Sequence, residues 1–348
     1  MDKNLNEMII ANRRELDKEI KDSTLKMYIA NIKKVSKTLN DGVETGGYEW
    51  LKDTEKVKTF FEQLTRTIKG EDTPRPIQYT TIRNYYNAII MYLYALNSDG
   101  KADTYIENYT KYRDELNKKY EDDQATGNFS ETQDKNMATM EEIHQIISDI
   151  GVELKNMKLK DKPRLKREER TLLQIYLILN IHVVAPLRND LAGMKIIKKR
   201  IYNSLTNDDK KETNYLVLNK NKMFFCLNDY KTSRKYSEKC IEIPDDLRKV
   251  LRFYLSINNS EYLLTKMDGK PMTRNYISQL LTKYFKNKIG KSISTTLLRK
   301  VYLTHKYSDI KEEMERDADL MGHSVAIAQK VYVKKRLPVK EESDESDE

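Results

Sequence analysis

Leu320-Met321-Gly322-His323-Ser324, followed shortly by Val331-Tyr332-Val333, is the stretch whose reading decides this chain. A glycine sets a histidine at a helix boundary, and a tyrosine follows at position 332. Two arginines far upstream belong with the pair. Arg188 sits in Ala185-Pro186-Leu187-Arg188-Asn189-Asp190-Leu191, and Arg299 in Thr295-Thr296-Leu297-Leu298-Arg299-Lys300. The chain holds 23 tyrosines, so position and not residue type singles out Tyr332. His144, His182 and His305 have no such company and read as structural.

Cleaving a phosphodiester without a metal makes three demands. A nucleophile must attack phosphorus, the extra negative charge must be stabilised, and the leaving 5′-oxygen must receive a proton. Guanidinium suits the second, because its planar fork donates two hydrogen bonds to phosphate oxygens and stays charged. Preorganised charge of this kind is usually the largest catalytic contribution. Imidazole shuttles protons near neutral pH, and a tyrosyl ester conserves bond energy so that strands can rejoin.

The ordered set Arg188, Arg299, His323, Tyr332 resembles the active site of the tyrosine recombinase (phage integrase) family, most closely over about residues 170–335. The resemblance implies that Arg188 and Arg299 clamp the phosphate, His323 handles protons and Tyr332 attacks. It also implies a lysine general acid on the turn after the second strand. Asp229-Tyr230-Lys231-Thr232-Ser233-Arg234-Lys235 occupies that turn, with Lys231 the first choice and Lys235 the second. Two departures stand out. Leu191 fills the usual place of a glutamate, leaving Asp190 as a supporting carboxylate. Thr296 stands where histidine is common; its hydroxyl can bond a phosphate oxygen but is no general base. Thr304 matches the family's threonine.

At 348 residues the chain has room for one or two domains with a proper core. Charged residues make up 34% and hydrophobic ones 39%, the balance of a soluble protein. The longest apolar run, near Leu172–Pro186, is interrupted by Gln174, Asn180 and His182. It is too short to span a bilayer, so no membrane partner is expected, and the polar start does not read as a signal peptide. Cys226 and Cys240 fit no metal-ligand spacing and suggest no disulfide framework. A reducing compartment, cytosol or nucleus, is the default. Net charge is +9, and setting aside the six acids of residues 341–348 leaves +15 on the remainder. A body that basic favours a polyanion. The richness in Lys, Asn, Ile and Tyr also points to an AT-biased genome, which adds lysines without a chemical reason.

Residues 1–120 read as an all-α domain similar to the core-binding domain that recombinases lay across DNA. Leu25, Tyr28, Ile29, Ile32, Val35 and Leu39 recur at helical spacing after a Ser23-Thr24 cap. A second helix is predicted near Asp53–Ile68, a loop at Thr73–Pro76, a long helix capped by Thr80 or Thr81, and another near Asp103–Lys119. The Tyr-rich stripe is read as core, and Lys26, Lys33, Arg83 and Asn87 as phosphate contacts. Residues 121–138 read as a linker, 139–337 as the catalytic domain and 338–348 as a disordered acidic tail. Within the catalytic domain, a buried helix ends at Pro186, and Arg188 begins a new one. Tyr215–Leu218, Met223–Leu227 and Cys240–Ile243 form a three-stranded antiparallel meander. Helices follow at Asp245–Ser256, Thr273–Asn287, Ser294–Tyr307, Ile310–Leu320 and Ser324–Lys334. Arg234 and Arg274 join the expected DNA contacts.

The expectation is thus a mainly α protein with a small antiparallel β-sheet: a helical core-binding domain joined to a recombinase-like α+β catalytic domain. The resemblance implies a site-specific recombinase or integrase working on double-stranded DNA through a 3′-phosphotyrosyl intermediate, with no cofactor, metal or ATP. It implies a homotetramer on DNA, and a monomer or weak oligomer off it. The composition and the Pro-Leu-Arg-Asn-Asp variant resemble integrases of large DNA viruses of eukaryotes or their mobile elements, which would place the protein in a host nucleus. A type IB topoisomerase-like enzyme or telomere resolvase shares the chemistry, and a catalytically inactive DNA-binding relative stays open.

Overall fold

Apolar spacing at three and four becomes helix through most of the chain. The computed structural model describes residues 2–15, 20, 22–67, 72–97, 99–125 and 127–333. The side chains of Arg234 and Lys235 lie outside that description, as does the tail expected at 338–348. The chain divides into two compact units, Met1–Asn128 and Phe129–Glu348.

The first unit holds α1 (Asp2–Glu15), α2 (Asp22–Leu39), α3 (Thr54–Gln63), α4 (Tyr79–Leu96) and α5 (Asp103–Ala125). Asp53 caps α3 by accepting the Lys56 amide at 3.0 Å. That helix stops short of the predicted Ile68, because Leu64 turns extended and Thr65–Arg66 (β1) pairs antiparallel with Arg75–Pro76 (β2), where a loop was expected. No side chain caps α4; neither Thr80 nor Thr81 is its N-cap, which is Gln78. Tyr85, Tyr86, Tyr92, Tyr109 and Tyr112 are buried, as the stripe implied. Their hydroxyls need partners: Tyr92 donates to the Gly47 carbonyl at 2.6 Å and Tyr109 to that of Leu51 at 2.7 Å. The stretch read as a linker carries helix at both ends, the last turns of α5 and α6 (Glu131–Asn136). Ser130 caps α6 through the Gln133 amide, a local polar device that apolar periodicity does not register.

The second unit packs α7 (Met140–Asn156) against α8 (Arg167–Val184) through Ile143, Ile146, Ile150, Leu173, Leu177 and Ile181. Thr139 and Glu142 form a capping box at the start of α7. Beside this pair lies a four-stranded mixed sheet in the order β3-β4-β5-β6: Lys195–Lys198, Tyr215–Asn219, Lys222–Leu227 and Lys239–Glu242. The last three are the expected meander. Strand β3 was not anticipated; it runs parallel to β4, with Lys195 opposite Tyr215. Short helices α9 (Lys199–Ser204) and α10 (Asn207–Lys211) make the crossover. Cys226 and Cys240 face each other across the β5–β6 ladder, Cα atoms 4.0 Å apart, and are bonded as a disulfide. This corrects the sequence expectation: sheet register, not spacing along the chain, brings the two sulfurs together.

The β5–β6 turn contains α11 (Ser233–Tyr236). Then follow α12 (Asp245–Leu255), α13 (Arg274–Ile289) and α14 (Thr295–Leu320). Helix α14 merges the two helices expected at Ser294–Tyr307 and Ile310–Leu320. A short α15 (Val325–Ile327) and a π-helical turn (Ala328–Tyr332) end the described residues. Among the described residues no helix is long and apolar enough to cross a membrane.

Candidate active site

Helix α8 stops because Pro186 follows it; Ala185 is already extended. Arg188 is extended too and opens a single 3-10 turn, Asn189–Leu191, in place of the expected helix. Leu191 drives this turn into the core, fully buried, and so answers for the absence of a glutamate there. Arg188 is left exposed while Asp190 is buried.

Arg299 arrives from the second turn of α14, whose first turn Ser294 caps through the Leu297 amide at 3.3 Å. Its Nε donates to the Pro186 carbonyl at 3.1 Å, which ties α14 to the proline break beside Arg188. Burial and then the Arg188 guanidinium lower the pKa of Arg299, with Asp190 opposing. Two guanidinium groups from separate elements therefore share one neighbourhood. Burial raises the Asp190 carboxyl above its usual range, against the pull of Arg274, Arg188 and Arg299. Thr296 is exposed one turn before Arg299.

Arg274, at the first turn of α13, lies 3.0 Å from Asp229 and 3.7 Å from Asp190. Its guanidinium is thus engaged by two carboxylates. Asp229 begins the turn that carries Lys231, which is exposed. A residue the sequence reading passed over holds this corner together. Asn214, buried just before β4, donates to the carbonyls of Asp190 and Asp229, each at 2.9 Å. Its oxygen accepts the amides of Asn228 at 2.8 Å and Asp229 at 2.9 Å. The only sequence signal was an Asn directly before a strand. His182, read as structural, is wholly buried in α8, with Nδ1 2.8 Å from the Ile178 carbonyl. Burial pushes its pKa down to about 4, the Ile178 carbonyl opposing and Arg299 adding to the shift.

His323 and Tyr332 form a second cluster. Gly322, at φ +69°, ends α14 in a Schellman motif: the His323 amide bonds the Ala318 carbonyl at 2.9 Å and the Gly322 amide that of Asp319 at 3.0 Å. Ser324 then caps α15 through the Ile327 amide. The chain folds back so that Ala328 and Ala318 are both buried. The Tyr332 hydroxyl comes within 3.4 Å of His323 Nε2, and the rings stack with centroids 5.6 Å apart. Both side chains are exposed. The structure does not bring this pair to the arginines. Helix α14 is continuous between them, and at ~1.5 Å rise per residue Leu320 lies about 30 Å along it from Arg299.

In the first unit, Lys26 is exposed on α2, Lys33 lies 3.8 Å from Glu44, Arg83 stacks 4.7 Å over the Tyr120 ring, and Asn87 is half-buried on α4.

No protein-family profile matches this chain, and no curated protein sequence does. Several solved structures are similar at low identity, three of which follow. One is the XerA recombinase, 13% identical over 96% of this chain and 95% of that one, at a TM-score of 0.32. Another is the XerH site-specific recombinase bound to difH substrate in a pre-cleavage complex, 12% identical over 94% and 91%, TM-score 0.34. XerH on a palindromic difH substrate in a post-cleavage complex is 13% identical over 94% and 90%, TM-score 0.36. Superpositions this loose assign neither family nor activity to the chain.

Proposed function

We propose that the protein is a DNA strand transferase of the tyrosine recombinase type. The observation that carries this reading is the bond from Arg299 to the Pro186 carbonyl, two residues before Arg188, with Asn214 joining that turn to the one that bears Lys231. In the reaction, Tyr332 Oη attacks phosphorus and gives its proton to His323, the imidazole within 3.4 Å. Arg188 and Arg299 hold the non-bridging oxygens as charge builds. The bond from phosphorus to the 5′-oxygen breaks, and Lys231 protonates that oxygen. The strand stays attached through a 3′-phosphotyrosyl ester, and attack by a 5′-hydroxyl reverses every step, so rejoining needs no ATP.

Chemistry requires the two clusters to meet. In this reading α14 breaks at Ser308–Asp309, where the sequence carries its own helix-start signal, Asp309 with Glu312 three residues on. Leu303, Tyr307 and Ile310 flank the break, each about half exposed in the continuous helix. Folding the distal half back buries that stripe and carries His323 and Tyr332 toward Arg299.

The partner is double-stranded DNA. The first unit contributes Lys26, Lys33, Arg83 and Asn87 to the backbone, and the second Arg234 and Arg274. Strand exchange between two duplexes would engage a homotetramer, in the cytosol or a nucleus. Integration of a viral or mobile element is the finer role proposed. The separation of the two clusters favours one other reading, a catalytically inactive DNA-binding relative. A nicked duplex decides between them: on a denaturing gel the active reading gives a covalent adduct that Tyr332→Phe abolishes, and the inactive one gives none.

A further inference from the structure

Asn214 spends its whole hydrogen-bonding capacity on two turns that carry proposed catalytic side chains. Both amide hydrogens go to backbone carbonyls, those of Asp190 and Asp229, and both oxygen lone pairs take backbone amides, those of Asn228 and Asp229. Arg188 stands two residues before Asp190, and Lys231 two residues after Asp229. The Asn214 carbonyl in turn accepts the Lys195 amide at 2.9 Å, so the side chain is rooted where β3 and β4 pair. A second link runs on the exposed side. Arg274 donates to the Asp229 carbonyl and carboxylate, each at 3.0 Å, and the Asn189 side chain donates to the Arg274 carbonyl at 2.9 Å.

Both links fix one turn relative to the other. A buried amide with four well-formed bonds is costly to disturb, since each broken bond leaves a desolvated group. Tyr230, buried directly before Lys231, closes that turn on itself by donating to the Ser237 carbonyl at 2.8 Å, and the bonds of Asn214 and Arg274 are what tie it to the Arg188 turn.

We infer that Asn214 is a positioning residue, with Arg274 as its outer counterpart: together they set the Lys231 turn against the Arg188 turn, so that phosphate clamp and proton donor meet one phosphodiester. This rests on the proposed strand-transferase reading. It separates position from chemistry: Asn214 touches no reacting atom, yet its loss must appear in the proton-donating step.

The test compares an ordinary nicked duplex with one bearing a 5′-bridging phosphorothiolate, whose sulfur leaves without a proton. Asn214→Ala should form adduct about 100-fold more slowly than wild type on the ordinary duplex, the loss that a misplacement near 1 Å produces. On the phosphorothiolate it should come within about threefold of wild type. Equal losses on both duplexes, or none, overturn the inference. Should Asn214→Ala fail to fold, Arg274→Gln bears the same test at saturating duplex, where its proposed contact with the DNA backbone no longer limits the rate; the same selective rescue is expected, and its absence counts against. If the wild type forms no adduct on either duplex, the strand-transferase reading itself fails. The clamp is then judged by hydrogen exchange in the full chain: Asn214→Ala must speed exchange of the Asn228 and Asp229 amides, and unchanged exchange overturns it.

Discussion

Arg188 and Arg299 repel each other, and neither would be held close to the other without compensation. Pro186 offers its carbonyl to Arg299, and the buried Asp190 supplies opposing charge. In the proposed reaction such an arrangement holds charge ready for the phosphate. Arg188→Ala or Arg299→Ala should each slow adduct formation by about 3–4 kcal/mol, with DNA binding measured separately to exclude simple loss of affinity. A rate near wild type in either variant makes that arginine structural. His182 gives a prediction about stability. Its folded pKa of about 4 lies below the ordinary 6.5, so below pH 6.5 the unfolded chain takes up a proton that the native state refuses. Stability is therefore complete above pH 6.5 and is lost as pH falls toward 4, by about 2 kcal/mol at pH 5. Calorimetric melts at pH 7 and pH 5 should show wild type falling several degrees further than His182→Gln. Parallel falls would mean that His182 is protonated without cost.

Among the elements, α14 holds the largest difference between sequence and structure. Asp309 and Glu312 read as a helix start, yet with helix formers on both sides the backbone passes through without a break. Nothing local opposes continuation, and the contacts made between residues 302 and 317 are few: Tyr302 against the core, His305 at 3.9 Å from Glu141 and Met314 at 3.6 Å from Gln329. The proposed closure is measured with spin labels at Thr296 and Leu320, both exposed: about 35 Å along the free helix, shortening clearly on a nicked duplex. A distance unchanged by DNA refutes the bend at Ser308–Asp309. Elsewhere, legibility followed the kind of force. Helices α2 to α5 and strands β4 to β6 were readable because burial imprints a period on the sequence; α1 was not anticipated. Strand β3 was not, because Ile196 and Ile197 stand between lysines and owe their strand to β4. The Cys226–Cys240 bond depends on register across a ladder. The work of Asn214 depends on bringing together residues 190 and 229, and no local pattern encodes that. The same limit hid the separation of the site: the order Arg, Arg, His, Tyr was plain, and the distance between its halves was not.

At the scale of the whole molecule, charge is the property that acts before any contact forms. The net +9 is the resultant of a basic body and an acidic end, since residues 341–348 alone carry six acids. Opposed charge on one chain competes with DNA for the same lysines and arginines, and the competition costs affinity without regard to sequence. Residues 338–348 hold Pro338, one lysine and those six acids. Deleting 338–348 should therefore tighten non-specific binding to a random duplex at low salt. As ionic strength approaches about 0.15 M, where the Debye length is about 8 Å, the gain should shrink. Adduct formation by Tyr332 should proceed at an unchanged rate once DNA is saturating, because no proposed catalytic group lies in the deleted segment. Binding isotherms of the full and shortened chains across a salt series, paired with single-turnover cleavage, measure both. A shortened chain that binds no tighter at low salt, or binds but no longer cleaves, would make the acidic end a docking element and not an electrostatic brake.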